Sequence, residues 1–224
     1  MRNRTEDKIK TIKCIFIRHG STDSNRQHRY LGKTDEPLDE AGIQQIKHAA
    51  ESGIYDNMCT KSETEISNQT VKIYSSPLCR CIQTAKIIFP DVEPELVETF
   101  SEMDFGEFEL KNYEELSSDT RYHDTYQAWI DSGGTMAFPG GESREEFIER
   151  CVRGFDRMID GLEDNDTAVF VVHGGTIMAI MSRYCSGDYF DYQVKNGCGY
   201  SCMVDIDCSN GKKFFSNIKQ IIIY

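Results

Sequence analysis

Two histidines occupy matching places in the chain, each behind an apolar run and ahead of glycine. Cys14 to Ile17 runs into Arg18-His19-Gly20, and Ala168 to Val172 runs into His173-Gly174-Gly175. Short, nearly continuous apolar runs read as strands covered on both faces. If the two strands are parallel neighbours, both imidazoles meet at one sheet edge. The glycines then let the backbone turn tightly and approach a ligand. A single histidine at a strand end is more often a hydrogen-bonding core residue. Two, each followed by glycine and one preceded by arginine, point to a site. A further cation, Arg80, falls in the first turn of a helix that Ser76-Pro77 opens, with Ser76 as N-cap and Pro77 at the first helical position. There it projects toward the strand ends, near the positive pole of the helix. Guanidinium forks bind phosphate bidentately, so Arg18, Arg80 and two imidazoles together suit a phosphoryl group.

An acid is needed beside them. The stretch 101–109 offers Glu102, Asp104, Glu107 and Glu109, and residue type and spacing leave the choice among these four open. Metal chemistry is not expected. Cys79-x-Cys81 and Cys198-x3-Cys202 do not fit a paired metal-binding spacing, and most of the cysteines sit in apolar segments as small core residues. No metal and no cofactor are predicted.

The chain of 224 residues carries 25 Lys+Arg against 37 Asp+Glu, a net charge of −12. That excludes a general nucleic-acid binder, which shows a basic face, and it requires that an anionic substrate meet a local cluster of positive charge. No apolar run approaches the roughly 18–20 residues of a membrane span, so no membrane partner is predicted. The start, MRNRTEDKIKTIK, is basic without an apolar stretch, unlike a secretory signal. A cytoplasmic setting with reduced thiols is expected, and the nine cysteines cannot all pair.

The elements that must carry these residues alternate. Strands are predicted at 12–17, 71–74, 167–172 and 200–206, with another at 214–223. Helices are predicted over 39–52, after Ser76-Pro77 with Leu78, Ile82, Ala85 and Phe89 on its apolar face, after a Ser143/Glu146 capping box, and over 175–184. Strands alternating with helices imply an α/β fold with a mostly parallel sheet, whose sites form outside the carboxyl ends of the strands. Residues 1–10 read as a loose tail, and Asp56 to Gln69 as a surface loop or ragged helix end. The remainder, 11–224, reads as one domain with a lid inserted at about 103–142. The part over the site, 112–140, is rich in aromatics (Tyr113, Tyr122, Tyr126, Trp129, Phe138), with Gly133-Gly134 and Gly140-Gly141 as hinges. Those aromatics either pack a helical cap or stack on a nucleoside-like leaving group.

Six motifs, in order along nearly the whole chain, resemble the histidine phosphatase superfamily, the group that includes the cofactor-dependent phosphoglycerate mutases. They are RHGSTDSN (18–25), YLGKTDEPLDEAG (30–42), SSPLCRCIQTA (75–85), EMDFGEFE (102–109), FPGGES (138–143) and VVHGG (171–175). The resemblance implies a phosphoglycerate mutase-like, three-layer α/β/α fold. It implies that His19 is the nucleophile that becomes phosphohistidine, that Arg18, Arg80 and His173 hold the phosphoryl group, and that Glu102 is the acid. Asn25 then touches the phosphate, and Gly32, Ser21 and Gly174 join it as substrate-binding positions. Leu31 stands where the mutases carry Ser or Thr. A charged His173 would stabilise the transferring group best.

The activity so implied is a metal-independent phosphomonoesterase acting on a small phosphorylated metabolite. The segment EMDFGEFE … NYEEL … W … FPGGES most resembles the α-ribazole phosphatase branch of cobalamin synthesis. One departure is Leu110, where that branch has glycine; leucine reaches positive φ with difficulty, so the loop over the site is expected to differ. A phosphoglycerate mutase is the alternative, disfavoured because Glu107 to Asp119 holds one basic residue, Lys111, amid five acids. A protein phosphohistidine phosphatase is a further alternative. A non-catalytic phosphate-binding protein is disfavoured because every matched catalytic residue is present. A homodimer is compatible with the sequence.

Overall fold

The computed structural model describes residues 9–55 and 70–223. Six strands form one sheet: β1 (Ile9–Arg18), β2 (Val71–Ser75), β3 (Glu95–Leu96), β4 (Thr167–Val172), β5 (Gly199–Asp207) and β6 (Lys213–Ile221). Their spatial order is β3-β2-β4-β1-β5-β6. β3, β2, β4 and β1 run parallel, and β5 and β6 close the far side antiparallel. The parallel strands have their apolar runs because helices cover both faces.

Side chains alternate between those faces. Phe16, Tyr74 and Phe170 point to one core with Phe155 and Ile180, while Ile15, Ile17, Ile73, Val169 and Val171 point to the other with Ile46 and Ala85. The first core is roofed by α6 (Arg144–Asp160) and α7 (Gly174–Tyr184), the second by α2 (Glu40–Glu51) and α3 (Cys79–Ile88). The result is the expected three-layer α/β/α arrangement. Between β3 and α6 the chain leaves the sheet. It makes a 3-10 turn over Gly106–Phe108, then two short helices, α4 (Tyr113–Ser118) and α5 (His123–Asp131). A single helical turn, α1 (Asp23–Arg26), follows β1.

Helix ends follow their local chemistry. Asp39 caps α2 by accepting from the Gly42 amide, and Ser143 and Glu146 form the reciprocal capping box of α6. The helix after β2 departs from expectation. Its N-cap is Leu78, not Ser76, and its cap comes from outside, since Asp35 Oδ1 accepts from the Cys79 amide at 2.6 Å. Its buried face is Cys81, Thr84, Ala85 and Ile88 together with Arg80, because the helix is rotated to carry Arg80 inward. Leu78, Ile82 and Phe89 are only partly covered.

The start also differs. Ile9 and Lys10 belong to β1 opposite Asp207 and Ile206, and Lys10 Nζ donates to the carbonyls of Asp160 and Leu162. The rest of the expected tail, and the expected loop 56–69, lie outside the described residues. The short β3 had no periodic signal. Among the described residues no helix is long and apolar enough to cross a membrane, and the cysteines are free thiols.

Candidate active site

The register of β1 against β4 sets Arg18 opposite Val172, and the His19 amide donates to the Val172 carbonyl at 3.0 Å. The two strands therefore end together, and the imidazoles of His19 and His173 lie edge to face with centroids 5.1 Å apart. Both rings are buried.

Their protonation follows from their neighbours. His19 Nδ1 lies 2.7 Å from the Gly20 carbonyl oxygen, which can only accept. Nδ1 therefore carries the proton, and Nε2 keeps its lone pair. Burial, then the charges of Arg80 and Arg18, hold the His19 pKa well below its ordinary value. For His173, Arg80 Nε donates to Nδ1 at 3.3 Å, so the ring proton sits on Nε2, 2.7 Å from Ser76 Oγ. Burial, then Arg80, His19 and Arg18, push the His173 pKa well down. The free site thus holds His173 neutral, whereas charge would favour a bound anion. Burial and the two guanidinium groups close by impose this.

Arg80 is completely buried. Its Nη1 and Nη2 donate to the carbonyls of Thr34 and Gly32 at 2.9 and 2.8 Å, and each terminal nitrogen keeps one further N–H. Arg18 Nη1 donates to the Val194 carbonyl at 2.7 Å. Its Nε is buried without a partner among the described residues, beside Gly174. Burial lowers the Arg18 pKa. Glu102 reaches the same place from the loop after β3. Its Oε1 accepts from the Met103 amide at 2.9 Å and Oε2 from the Gly175 amide at 3.3 Å. Burial outweighs both hydrogen bonds and the charges of Arg80 and Arg18, so its pKa is raised. A Cβ on Gly175 would stand 2.3 Å from Oε1; only glycine admits the carboxyl there.

A cavity of about 290 Å³ opens over these groups, with Arg18, His19, Glu102, Asn25, Gly174 and Gly175 among its lining. Of the other expected positions, Arg80 and His173 are fully buried and do not line it. Gly32 does not line it: its amide donates to Glu109 Oε1 at 2.9 Å and its carbonyl is taken by Arg80. Gly32 therefore seats Arg80, and a Cβ there would stand 2.1 Å from the Met103 carbonyl oxygen. Ser21 also stays out of the cavity, turning to Asp39 Oδ2 at 3.3 Å and lining a shallower groove alongside. Leu31 lines the wall. Leu110 sits at φ +58° with its amide donating to the Tyr30 carbonyl at 2.8 Å. The loop keeps a left-handed turn there, with leucine bearing the strain.

Several participants have no sequence signal of their own. Asn196 Nδ2 reaches the carbonyls of His19 and Gly20, both at 3.1 Å, and Asn25 Oδ1 at 2.9 Å, so it pins the turn that carries His19. The Asn-Gly pair 196–197, with Gly197 at φ +75°, is a turn signal that marks the place. Ser76 orients His173. The outer wall comes from the cap, through Tyr30, Phe105, Trp129 and Phe138, and from Arg144, Tyr189 and Phe190. Phe108, Tyr126 and Phe138 are buried in the cap, which favours packing as their main role, while Tyr113 is exposed. Among the described residues no group of three or more His, Cys, Asp or Glu could hold a metal ion.

A profile of the histidine phosphatase superfamily (branch 1) matches residues 14–218. The chain is 32% identical over 180 residues to the uncharacterized phosphatase PhoE of Bacillus subtilis, covering 80% of this chain and 79% of that one. It is 24% identical to the adenosylcobalamin/α-ribazole phosphatase of Salmonella typhimurium, over 84% of this chain and 88% of the other. The structure of the α-ribazole phosphatase from Shigella flexneri superposes with a TM-score of 0.70 at 21% identity, covering 94% of this chain and 95% of that one.

Proposed function

Because the chain belongs to the histidine phosphatase superfamily (branch 1), and so to the phosphatase class of enzymes, we propose that it hydrolyses small phosphomonoesters through a phosphohistidine at His19 Nε2. The observation that carries this is the tautomer of His19. Its Nδ1 proton is committed to the Gly20 carbonyl, which leaves a neutral nucleophile on a cavity shared with two further groups, Arg18 and Glu102.

Nε2 attacks phosphorus in line with the ester oxygen, the P–O bond breaks as the P–N bond forms, and protonated Glu102 gives the departing alkoxide its proton. Glu102, now ionised, takes a proton from water, whose oxygen attacks phosphorus and releases His19 and inorganic phosphate. Arg18 and Arg80 stabilise the equatorial oxygens, which is why the reaction needs no metal. As a phosphoryl dianion arrives, its charge offsets that of the two arginines and favours proton uptake by His173. Asn25 and Gly174 border the phosphoryl position.

α-Ribazole 5′-phosphate is the first candidate substrate. The relative in Salmonella typhimurium and the aromatic outer wall support it, and the cytoplasm is the setting in which a cobalamin intermediate would be met. The test is phosphate release in EDTA across α-ribazole 5′-phosphate, 3-phosphoglycerate, sugar phosphates and mononucleotides. A preference in kcat/KM on the order of 10², worth about 2.7 kcal/mol of transition-state binding, would establish the substrate. A flat profile would retire it and leave the phosphatase standing. Isomerisation of 3-phosphoglycerate without phosphate release would replace hydrolase with mutase. His19→Ala is expected to abolish turnover, and full activity in that variant would refute the nucleophile.

A further inference from the structure

Arg144 is the one strong cation on the cavity wall that neither the phosphoryl chemistry nor a carboxylate accounts for. Arg18 lies at the floor of the cavity. Arg29, also on the wall, is held by Glu115 through two bonds of 2.6 and 2.8 Å. Arg144 has no carboxylate within ion-pair distance among the described residues. It is nevertheless held in place. It is the first residue of α6, directly after the Ser143 cap. Its guanidinium lies over Tyr189 and Phe190, 5.3 and 4.9 Å from the ring centroids, and one terminal nitrogen donates to the Gly133 carbonyl. The cation thus lies over two aromatic rings and is tied at one corner, and the side chain lines the cavity with further N–H groups to offer.

Trp129 converges on the same spot. A Cβ on Gly134 would stand 2.9 Å from Arg144 Nη2 and 3.1 Å from Trp129 Cζ2, and Gly134 sits at φ +69°. Gly134 is therefore the gap at which the Arg144 guanidinium and the outer rim of the Trp129 indole come together. Trp129, Gly134, Arg144 and Phe190 all line the cavity. An indole face accepts a flat ring, and a guanidinium edge accepts a lone pair in the plane of that ring.

We propose that Arg144 is a specificity-determining residue that recognises an acceptor atom on the rim of a flat heteroaromatic leaving group, with Trp129 packing against that ring. This rests on the phosphomonoesterase reading and names the class of ester that reading left open. Arg144 shares no hydrogen bond with His19, Arg18, Arg80, Glu102 or His173 among the described residues, so its contribution belongs to leaving groups that carry the acceptor and to no others.

Three esters with the same ribose 5′-phosphate test this: ribose 5-phosphate with no ring, the 5′-phosphate of indole riboside with a ring but no acceptor nitrogen, and α-ribazole 5′-phosphate with both. Wild-type enzyme is compared with Arg144→Met, Arg144→Lys and Trp129→Leu by kcat/KM, with thermal melts to show that each variant folds. Arg144→Met is expected to lower kcat/KM about tenfold for α-ribazole 5′-phosphate alone, and Arg144→Lys to recover part of it. Trp129→Leu should lower both ring-bearing esters and spare ribose 5-phosphate. The proposal is overturned if Arg144→Met lowers all three alike, which would make Arg144 a strap between cap and wall, or if it lowers none. Either result, with ribose 5-phosphate still turned over in a His19-dependent way, leaves the phosphatase reading intact. Absence of His19-dependent turnover of all three esters by the wild type would instead sink the reading itself.

Discussion

Glu102→Gln separates the proton transfer proposed for this residue from the shape it holds. The side chains match in size, but their hydrogen-bonding capacities differ. Glu102 accepts from the Met103 and Gly175 amides, at 2.9 and 3.3 Å. Glutamine can accept one of these and sets an NH₂ against the other, so one partly buried N–H loses its partner at a cost of about 1–3 kcal/mol. The chemical loss is larger. Removing a general acid typically lowers the rate by about 10²–10⁴, which is about 2.7–5.5 kcal/mol of transition-state free energy. That loss falls on esters whose leaving alkoxide needs the proton. Ribose 5-phosphate should therefore lose the full factor in kcat/KM, whereas 4-nitrophenyl phosphate, whose phenolate departs unprotonated, should lose less than about tenfold. Its kcat should still fall, since water attack on phosphohistidine needs the same carboxylate as base.

The pH profile has a stated direction. In the proposed mechanism the productive free enzyme has neutral His19 and protonated Glu102. Burial and two arginines hold His19 down, and burial holds Glu102 above its ordinary 4.5. For the alkyl ester, kcat/KM should fall on the acid side as His19 takes a proton, and on the alkaline side as Glu102 loses its own. Glu102→Gln should erase the alkaline limb and keep the acid one. Steady-state kinetics on both esters, from about pH 4 to 9, read all of this. Equal losses on the two esters, or an alkaline limb that survives, would refute the assignment of the acid.

Two further outcomes concern stability. His19 and His173 have folded pKa values held below the ordinary 6.5, so unfolding lets them take up protons. Their contribution is complete above about pH 6.5 and is lost as pH falls toward the depressed values, by about 1.4 kcal/mol per pH unit for each ring. Glu102, raised, acts with the opposite sign: its contribution is complete below its unfolded value and is lost as pH rises through its folded one. In urea melts, His173→Asn should reduce the acid-side slope by about 1.4 kcal/mol per pH unit; an unchanged slope would show that the ring is not buried neutral. Leu110→Gly should stabilise the protein. A left-handed L-residue costs about 1–2 kcal/mol, and glycine gives back about 0.4–1 kcal/mol through the unfolded chain. The expected gain of about 0.5–1 kcal/mol raises Tm by about 1–4 °C for a chain of this size. A lower Tm would mean that the half-exposed leucine side chain holds the loop.

The two strand-end histidines were legible because parallel strands under helices are short and wholly apolar, so a polar residue that ends such a run stands out. The carboxylates show what was not legible. Glu102, Asp104, Glu107 and Glu109 lie within eight residues, and their types are equivalent; tertiary partners sort them. Asp104 faces Lys33 at 2.5 Å, Glu109 accepts from the Gly32 and Thr34 amides at 2.9 Å, and Glu107 is exposed, leaving Glu102 on the cavity. The resemblance to a family singled out Glu102; the residues alone could not. Arg80 repeats the lesson at the level of a helix. Ser76-Pro77 reads locally as a helix start, yet Ser76 Oγ is committed to His173, and the helix begins at Cys79 with Asp35 capping it from another loop. A cap supplied from a distance leaves no local signature, and the rotation it permits is what turns Arg80 inward.

The outer wall was hidden for the same reason in stronger form. It is assembled from residues near 30, 105, 129–138, 144 and 190; only the aromatic-rich stretch that holds Trp129 and Phe138 stood out, and its pattern did not separate cap packing from contact with a ligand. A chain of net charge −12 had to gather its cations locally, and that requirement was visible; which arginines would meet it was not. Arg26 and Arg121 spend their charge on neighbouring aspartates at the surface. Arg144, with the same local surroundings of acidic residues, is instead drawn onto Tyr189 and Phe190 by a helix cap and a glycine gap. The substrate choice proposed for this chain is thus set where sequence patterns are least informative, while the proposed reaction is set at two strand ends where they are most informative.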